Sequence, residues 1–202
     1  MDVVKIGLLG GTFDPIHNGH LHLAQAAYET LTLKAVLFIP AGDPPHKQHT
    51  QITPVHHRLK MLELATENQD HFVISRVDLD RPGPHFTIDT VSLIRQQYQL
   101  SSDQCYFIIG SDSLVDLPTW YEPEILIKRC RLAIIHRPNY NPNLTHLSDN
   151  ISNLSERLSW VETTELDISS TQIRQYIRHG EAIKDSVPLP VQDYISRHQL
   201  YK

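Results

Sequence analysis

The apolar run from Val3 to Leu9 ends in a pair of glycines, and the chain reads on as Gly10-Gly11-Thr12-Phe13-Asp14-Pro15-Ile16-His17-Asn18-Gly19-His20. A buried strand that delivers its backbone to two residues without side chains can approach a bulky anion closely. The helix that follows aims backbone amides and the positive end of its dipole at the same place. The pattern predicts that helix from about Gly19 to Thr32, with Asn18 as N-cap and Leu21, Ala24, Ala27 and Leu31 turned toward a sheet. His17 and His20 then flank the helix start, where imidazoles can donate hydrogen bonds to a polyphosphate and to charge developing on it. A single histidine at such a position is usually a cap or a surface residue; the pair, set beside two glycines in a strand-turn-helix, is not explained that way. No G-x-G-x-x-G follows the strand and no G-x-x-x-x-G-K-[ST] occurs, so ordinary dehydrogenases and P-loop enzymes are disfavoured.

Further apolar runs at Ala35–Ile39, Phe72–Ser75, Tyr106–Ile109 and Leu132–Ile135 alternate with helical patterns. Such alternation predicts an α/β fold, a doubly wound, Rossmann-like parallel sheet with helices on both faces. Its ligand crevice belongs at the carboxyl ends of the strands, where strand order reverses. A second helix is expected from Thr53 as N-cap and Pro54 at the first position, carrying Leu59, Leu62 and Ala65, and a third from Thr87 to Tyr98. Asn139–Ser155, rich in Asn and Ser, reads as irregular. Ser169 and Gln172 have the spacing of a capping box that opens a helix ending at Gly180 as C′, and a short helical pattern follows through Val191, Tyr194 and Ile195. The expectation is one domain over residues 1–202, with a helical segment from about residue 168 packing on the sheet.

A formal net charge of −5 and a pI of about 6.2 argue against holding nucleic acid by bulk electrostatics, which needs a basic face. A small anion needs only a local cluster. Cys105 and Cys130 form no C-x-x-C pair and each opens an apolar run, as expected of buried thiols in a reducing compartment. No signal segment and no membrane-length apolar run is evident, so a cytoplasmic protein without a membrane partner is expected. Most of the 13 histidines, His46, His49, His56, His57 and His71 among them, lack zinc-site spacing and read as solvated. No protein metal site is expected, and the sequence leaves self-association into a homo-oligomer open.

Other residues carry candidate chemistry. Capping accounts for Ser169, but not for Ser170 and Thr171 beside Arg174 one turn into the helix. Amides, hydroxyls and a guanidinium together suit a triphosphate. Lys47 ends the polar loop Ala41-Gly42-Asp43-Pro44-Pro45-His46-Lys47, stiffened by its prolines. Asp112 either caps a helix or accepts hydrogen bonds from ribose hydroxyls; Trp120 is either core or a face for a flat ring. Neither a Ser-His-Asp signature nor a nucleophile elbow is present, so a covalent intermediate is not indicated.

His17-Asn18-Gly19-His20 resembles the H-x-G-H signature of a nucleotidyltransferase superfamily, and Gly10–His17 resembles its bacterial nicotinate mononucleotide adenylyltransferases. Pro44–Lys47, Thr87–Thr90, Ile109–Ser113, Trp120-Tyr121 and Ile168–Arg174 fall in the order that family uses. The resemblance implies transfer of AMP from ATP to nicotinate mononucleotide, giving deamido-NAD and pyrophosphate in NAD biosynthesis by direct in-line attack, with Mg²⁺ bound with the ATP. It implies catalytic roles for His17, His20, Lys47 and Arg174. ATP contacts would come from Gly10, Gly11, Thr12, Phe13, His17, His20, Asp112, Ser169, Ser170, Thr171 and Arg174. The mononucleotide would meet Lys47, Thr87, Trp120, Tyr121 and Arg137. Rival readings keep the chemistry on nicotinamide mononucleotide or phosphopantetheine, or make the chain a non-catalytic nucleotide sensor or a histidine-dependent metallohydrolase.

Overall fold

The computed structural model describes residues 4–42, 52–136, 142–164 and 168–202. Six parallel strands form the sheet: β1 (Ile6–Gly11), β2 (Ala35–Pro40), β3 (Phe72–Ile74), β4 (Cys105–Gly110), β5 (Arg131–Ile135) and β6 (Leu158–Val161), in the order β3-β2-β1-β4-β5-β6. From β1 the chain winds outward through β2 to β3, then returns to lay β4 on the other side of β1 and winds outward again. The reversal between β1 and β4 is the position at which such sheets open a crevice.

The helices are α1 (Asn18–Leu31), α2 (Val55–Thr66), α3 (Thr87–Tyr98), α4 (Ser111–Val115), α5 (Pro123–Arg129), α6 (Leu144–Asn150), α7 (Leu154–Arg157), α8 (Ser170–His179) and α9 (Leu189–Arg197). Strand residues alternate between two cores, as the period of a pleated strand requires. Leu8, Leu37, Phe107 and Leu132 point into one core with Val91, Leu126 and Leu147 from α3, α5 and α6. Leu9, Phe38, Ile108 and Ala133 point into the other with Ala24, Leu62, Ile173 and Val191 from α1, α2, α8 and α9. This is the doubly wound α/β architecture, with both sheet faces covered. Among the described residues no helix is long and apolar enough to cross a membrane.

Several local expectations are corrected. The edge strand β6 has no counterpart in the sequence reading, because four residues that include Ser159 and a 38% exposed Trp160 give too short an alternation to register. Within Asn139–Ser155, residues Leu144–Asn150 form α6 and α7 begins at Leu154. Leu144, Leu147, Ile151 and Leu154 recur at helical spacing among the polar residues, and the Asn143 side chain accepts the His146 N–H at 3.1 Å as N-cap. Burying three of those side chains stabilises this stretch by about 2 kcal/mol each, which outweighs the turn bias of Asn and Ser. α2 starts at Val55 with Pro54 as its cap residue, one position later than expected.

His57 and His71 are packed rather than solvated. His71 stacks on Tyr28 with ring centroids 4.0 Å apart and bonds Gln25 at 2.8 Å, while His57 Nδ1 pairs with the Tyr194 hydroxyl at 2.9 Å where α2 meets α9. Desolvation, then His56 and His198 nearby, lower the pKa of His57 and favour its neutral ring.

Both cysteines are fully buried, and burial pushes the Cys105 thiol up to about 12 and the Cys130 thiol higher still. Thiolate is the reactive form. Neither cysteine is therefore expected to react with a thiol-specific reagent in the native chain, and both should react once denaturant is added. Fast labelling of the folded protein would contradict this packing.

Candidate active site

At the carboxyl end of β1 the chain turns sharply. Phe13 takes a left-handed backbone conformation, φ 49°, unusual for a bulky residue and tolerated only where the surroundings hold it. Its buried ring folds beneath Gly11, where a Cβ would meet it at 2.9 Å. Gly11 is thus required by its neighbour in the turn as well as open to a ligand. The Phe13 ring meets His20 edge-on, with centroids 5.1 Å apart.

The N-cap of α1 is His17, not Asn18, and no side chain caps this helix start. Asn18 is engaged elsewhere: its N–H donates to the Ser186 carbonyl at 2.9 Å and its Nδ2 to the Asp185 carbonyl at 3.0 Å. His17 is 6% exposed, and its ring lies 3.6 Å from that of His20, tilted by 30°. Gly19 makes this pairing possible, because a Cβ there would come within 2.9 Å of His17 Nδ1. Of the two imidazoles, His20 lines the crevice and His17 is buried beside it.

α8 begins with the expected capping box: the Ser169 hydroxyl accepts the Gln172 N–H at 3.2 Å and Gln172 Oε1 accepts the Ser169 N–H at 2.9 Å. Its C-cap is Gly180 at φ 72°. The next residues reach back to the signature turn. Ser170 Oγ donates to the Pro15 carbonyl at 3.0 Å, and Arg174 Nη1 donates to the Asp14 carbonyl at 2.7 Å. Arg174 Nη2 also bonds Thr171 Oγ1 at 3.3 Å. Arg174 and the Ser170 hydroxyl are therefore anchored on the turn that leads into His17 and His20.

A second arginine, absent from the sequence reading, organises the same region. Arg58 on α2 is 2% exposed and donates to three backbone carbonyls: Thr12 at 2.7 Å, Thr53 at 2.9 Å and Ala41 at 3.0 Å. Burial draws its guanidinium below the ordinary value, and the nearby Asp14 carboxylate opposes that shift. Asp14 in turn is 4% exposed; Oδ2 accepts the Thr53 N–H at 3.1 Å and Oδ1 the Tyr201 hydroxyl at 2.7 Å. A charged residue on the apolar side of a helix, with Met61 and Leu62 three and four positions on, was the available signal.

The crevice has a volume of about 420 Å³ and is lined by Gly10–Thr12 of β1 and the turn after it, Ile39 and Ala41 at the end of β2, and Phe107–Gly110 of β4, together with His20, Thr87 and Trp120. Asp112 lies in the first turn of α4, whose N-cap is Gly110, so it is not the cap residue. Beyond Thr87 and Trp120 a second hollow of about 590 Å³ opens, lined also by His85, Phe86, Tyr121 and Glu122. Thr87 is the first residue of α3, with no side-chain cap before it. Trp120 is half-buried with its edge on Phe107, centroids 6.0 Å apart, and Tyr121, 53% exposed, stacks on Phe86 at 4.2 Å. Asp78 braces this wall: its carboxylate accepts Thr90 Oγ1 at 2.8 Å and Arg81 Nη2 at 2.9 Å. Phe86, Asp78 and Arg81 have no part in the sequence reading, and Thr90 enters it only as the end of the Thr87–Thr90 motif. Lys47, its neighbours Pro44–His46, His49 and Arg137 lie outside the described residues.

A family model described as cytidylyltransferase-like matches residues 8–176, from β1 through the Arg174 segment. A "probable nicotinate-nucleotide adenylyltransferase" of Thermomicrobium roseum is 43% identical over 198 residues, covering 98% of this chain and 92% of that one. The chain belongs to the nicotinate-nucleotide adenylyltransferase family, within the cytidylyltransferase-like proteins. A Roseiflexus protein with the same name is 40% identical over the full length of both. Among solved structures, the nicotinic acid mononucleotide adenylyltransferase of Plasmodium falciparum complexed with NaAD superposes with a TM-score of 0.80 at 21% identity, covering 98% of each chain. At that identity the likeness speaks for the shared adenylyltransferase fold.

Proposed function

We propose that the chain transfers the adenylyl group of ATP to nicotinate mononucleotide, releasing pyrophosphate and forming deamido-NAD for NAD biosynthesis. The observation that carries the reading is the meeting of His17, His20, Ser170 and Arg174 around one turn, with His20 on the crevice where strand order reverses. The names of the relatives and the NaAD complex of the structural neighbour support the same reaction.

The chemistry needs positioning more than activation. A phosphomonoester has its second pKa near 6, so the phosphate of the mononucleotide is already a nucleophile at neutral pH. One of its oxygens attacks the α-phosphorus in line as the bond to the β-phosphate oxygen breaks and pyrophosphate leaves. In this reading the turn Gly10–Phe13, the α8 start with Ser169, Ser170 and Thr171, and Arg174 hold the triphosphate. His17 supports His20, which donates to charge growing at the α-phosphate, and Asp112 accepts from the ribose. Lys47, assigned by its motif, neutralises phosphate. Thr87 at the uncapped start of a 12-residue helix suits a carboxylate, with Trp120 and Tyr121 as the flat surface nearby and Arg137 assigned by its motif.

Among the described residues no three His, Cys, Asp or Glu groups gather as a metal cage. Mg²⁺ is assigned in this reading to the ATP phosphates themselves, where it would spread charge over the triphosphate when bound.

Protein mixed with ATP, Mg²⁺ and nicotinate mononucleotide is expected to release pyrophosphate and yield the dinucleotide, with a slower reaction on nicotinamide mononucleotide. Folded protein that gives no dinucleotide would reject the proposal. Binding of ATP without turnover on any mononucleotide would instead identify a sensor.

A further inference from the structure

We propose that Tyr201 is a positioning residue for the nucleotide, acting through Asp14 on Arg174. The inference rests on the adenylyl-transfer reading for what Arg174 binds. Tyr201 lies 187 positions from Asp14 in sequence, yet its hydroxyl donates to Asp14 Oδ1 at 2.7 Å. Burial, then the Asp14 charge and the hydrogen bond to it, push the Tyr201 phenol far above its ordinary value and keep it a donor across the working pH range.

Asp14 carries two functions at once. Its carboxylate, 4% exposed, is held by Tyr201 and the Thr53 N–H, while its own carbonyl accepts Arg174 Nη1 at 2.7 Å. The residue that orients Arg174 is thereby fixed in place by Tyr201. Arg174 also lies close enough to Tyr201 to moderate the phenol's shift, so tyrosine, carboxylate and guanidinium form one cluster. Removing the hydroxyl leaves a buried carboxylate short of a donor. The group then shifts to find another, and the carbonyl on the same residue shifts with it.

Tyr201→Phe tests this beside two controls, wild type and Tyr98→Phe, a surface tyrosine on α3. Binding of α,β-methylene-ATP is measured by calorimetry, and steady-state constants for both substrates are taken. We expect Tyr201→Phe to weaken the analogue and raise the KM for ATP about tenfold, with the KM for the mononucleotide unchanged, kcat within about threefold and melting within a few degrees. In an Arg174→Ala background the same substitution should change analogue binding less than twofold, since the route through Arg174 is gone. Unaltered analogue binding would overturn the inference. So would equal losses for both substrates, a tenfold effect that persists without Arg174, or loss of cooperative melting, each of which would make Tyr201 only a folding residue. Wild type that binds the analogue but forms no dinucleotide would reject the transfer reading and leave the binding test of Tyr201 standing.

Discussion

Replacing His20 by alanine is expected to lower kcat at least a hundredfold while moving the melting temperature by only a few degrees. The size follows from the role. A preorganised donor aimed at charge that develops in the transition state contributes about 3 kcal/mol, and water entering the vacated space cannot match it, because it must reorient during the reaction. The small change in stability follows from position. His20 is half-buried on the crevice, and its contacts include an edge-on meeting with Phe13 and a tilted pairing with His17. Ring contacts of this kind contribute about 1 kcal/mol each. A domain of this size loses about 3 °C for each kcal/mol. Turnover and melting measured on one preparation check both parts. A rate within tenfold of wild type would remove His20 from the reacting centre, and a collapse in melting would make it structural.

Arg58→Met is expected to do the reverse, costing about 3–5 kcal/mol of stability and lowering the melting temperature by roughly 10 °C. Methionine fills much of the space but donates nothing, so the carbonyls of Thr12, Ala41 and Thr53 lose their partner and the buried Asp14 carboxylate loses its compensating charge. Arg58→Lys should fall between the two, since a single ammonium cannot meet three carbonyls in the plane of a guanidinium. Thermal melting of the three proteins decides the matter. If Arg58→Met melts within two degrees of wild type, the three bonds contribute no net stability. Thr12 and Ala41 also line the crevice, so activity is expected to fall with the loss of these bonds even at temperatures where the variant stays folded.

Much of this architecture was legible because local and long-range preferences agree. α3 runs from Thr87 to Tyr98 as its spacing predicts, since Ile88, Val91 and Ile94 repeat at helical intervals and are all buried. The capping box at Ser169 and Gln172 is a signal four residues long and needs no tertiary information. Asn18 shows the opposite case. Its side chain is a strong cap on its own, but carbonyls near residue 185 take it, and nothing within a helix turn of Asn18 announces them. Arg58 offers in sequence only a charge on the apolar side of a helix, and Tyr201 offers nothing, because the partners that set their importance lie 46 and 187 positions away. The helices after Asn143 were masked by composition, because four apolar residues at the right spacing carry more free energy than the polar residues between them suggest. At the site, the motif residues could be named from the chain, whereas the bracing of Thr90 by Asp78 and the stacking of Tyr121 on Phe86 depend on loops meeting in space.

The contacts that Asp14 makes with Arg174 and Tyr201 also set an order of events during synthesis. The signature turn leaves the ribosome early, while the groups that grip it are made 160 and 187 residues later. Closing so long a loop contributes nothing to the first stages of collapse, so the central strands must come together before the turn acquires its final shape. A nascent chain of this family member therefore carries both histidines of the turn long before Arg174 and Tyr201 exist to hold it, and the turn gains its last contact from a residue beyond α9.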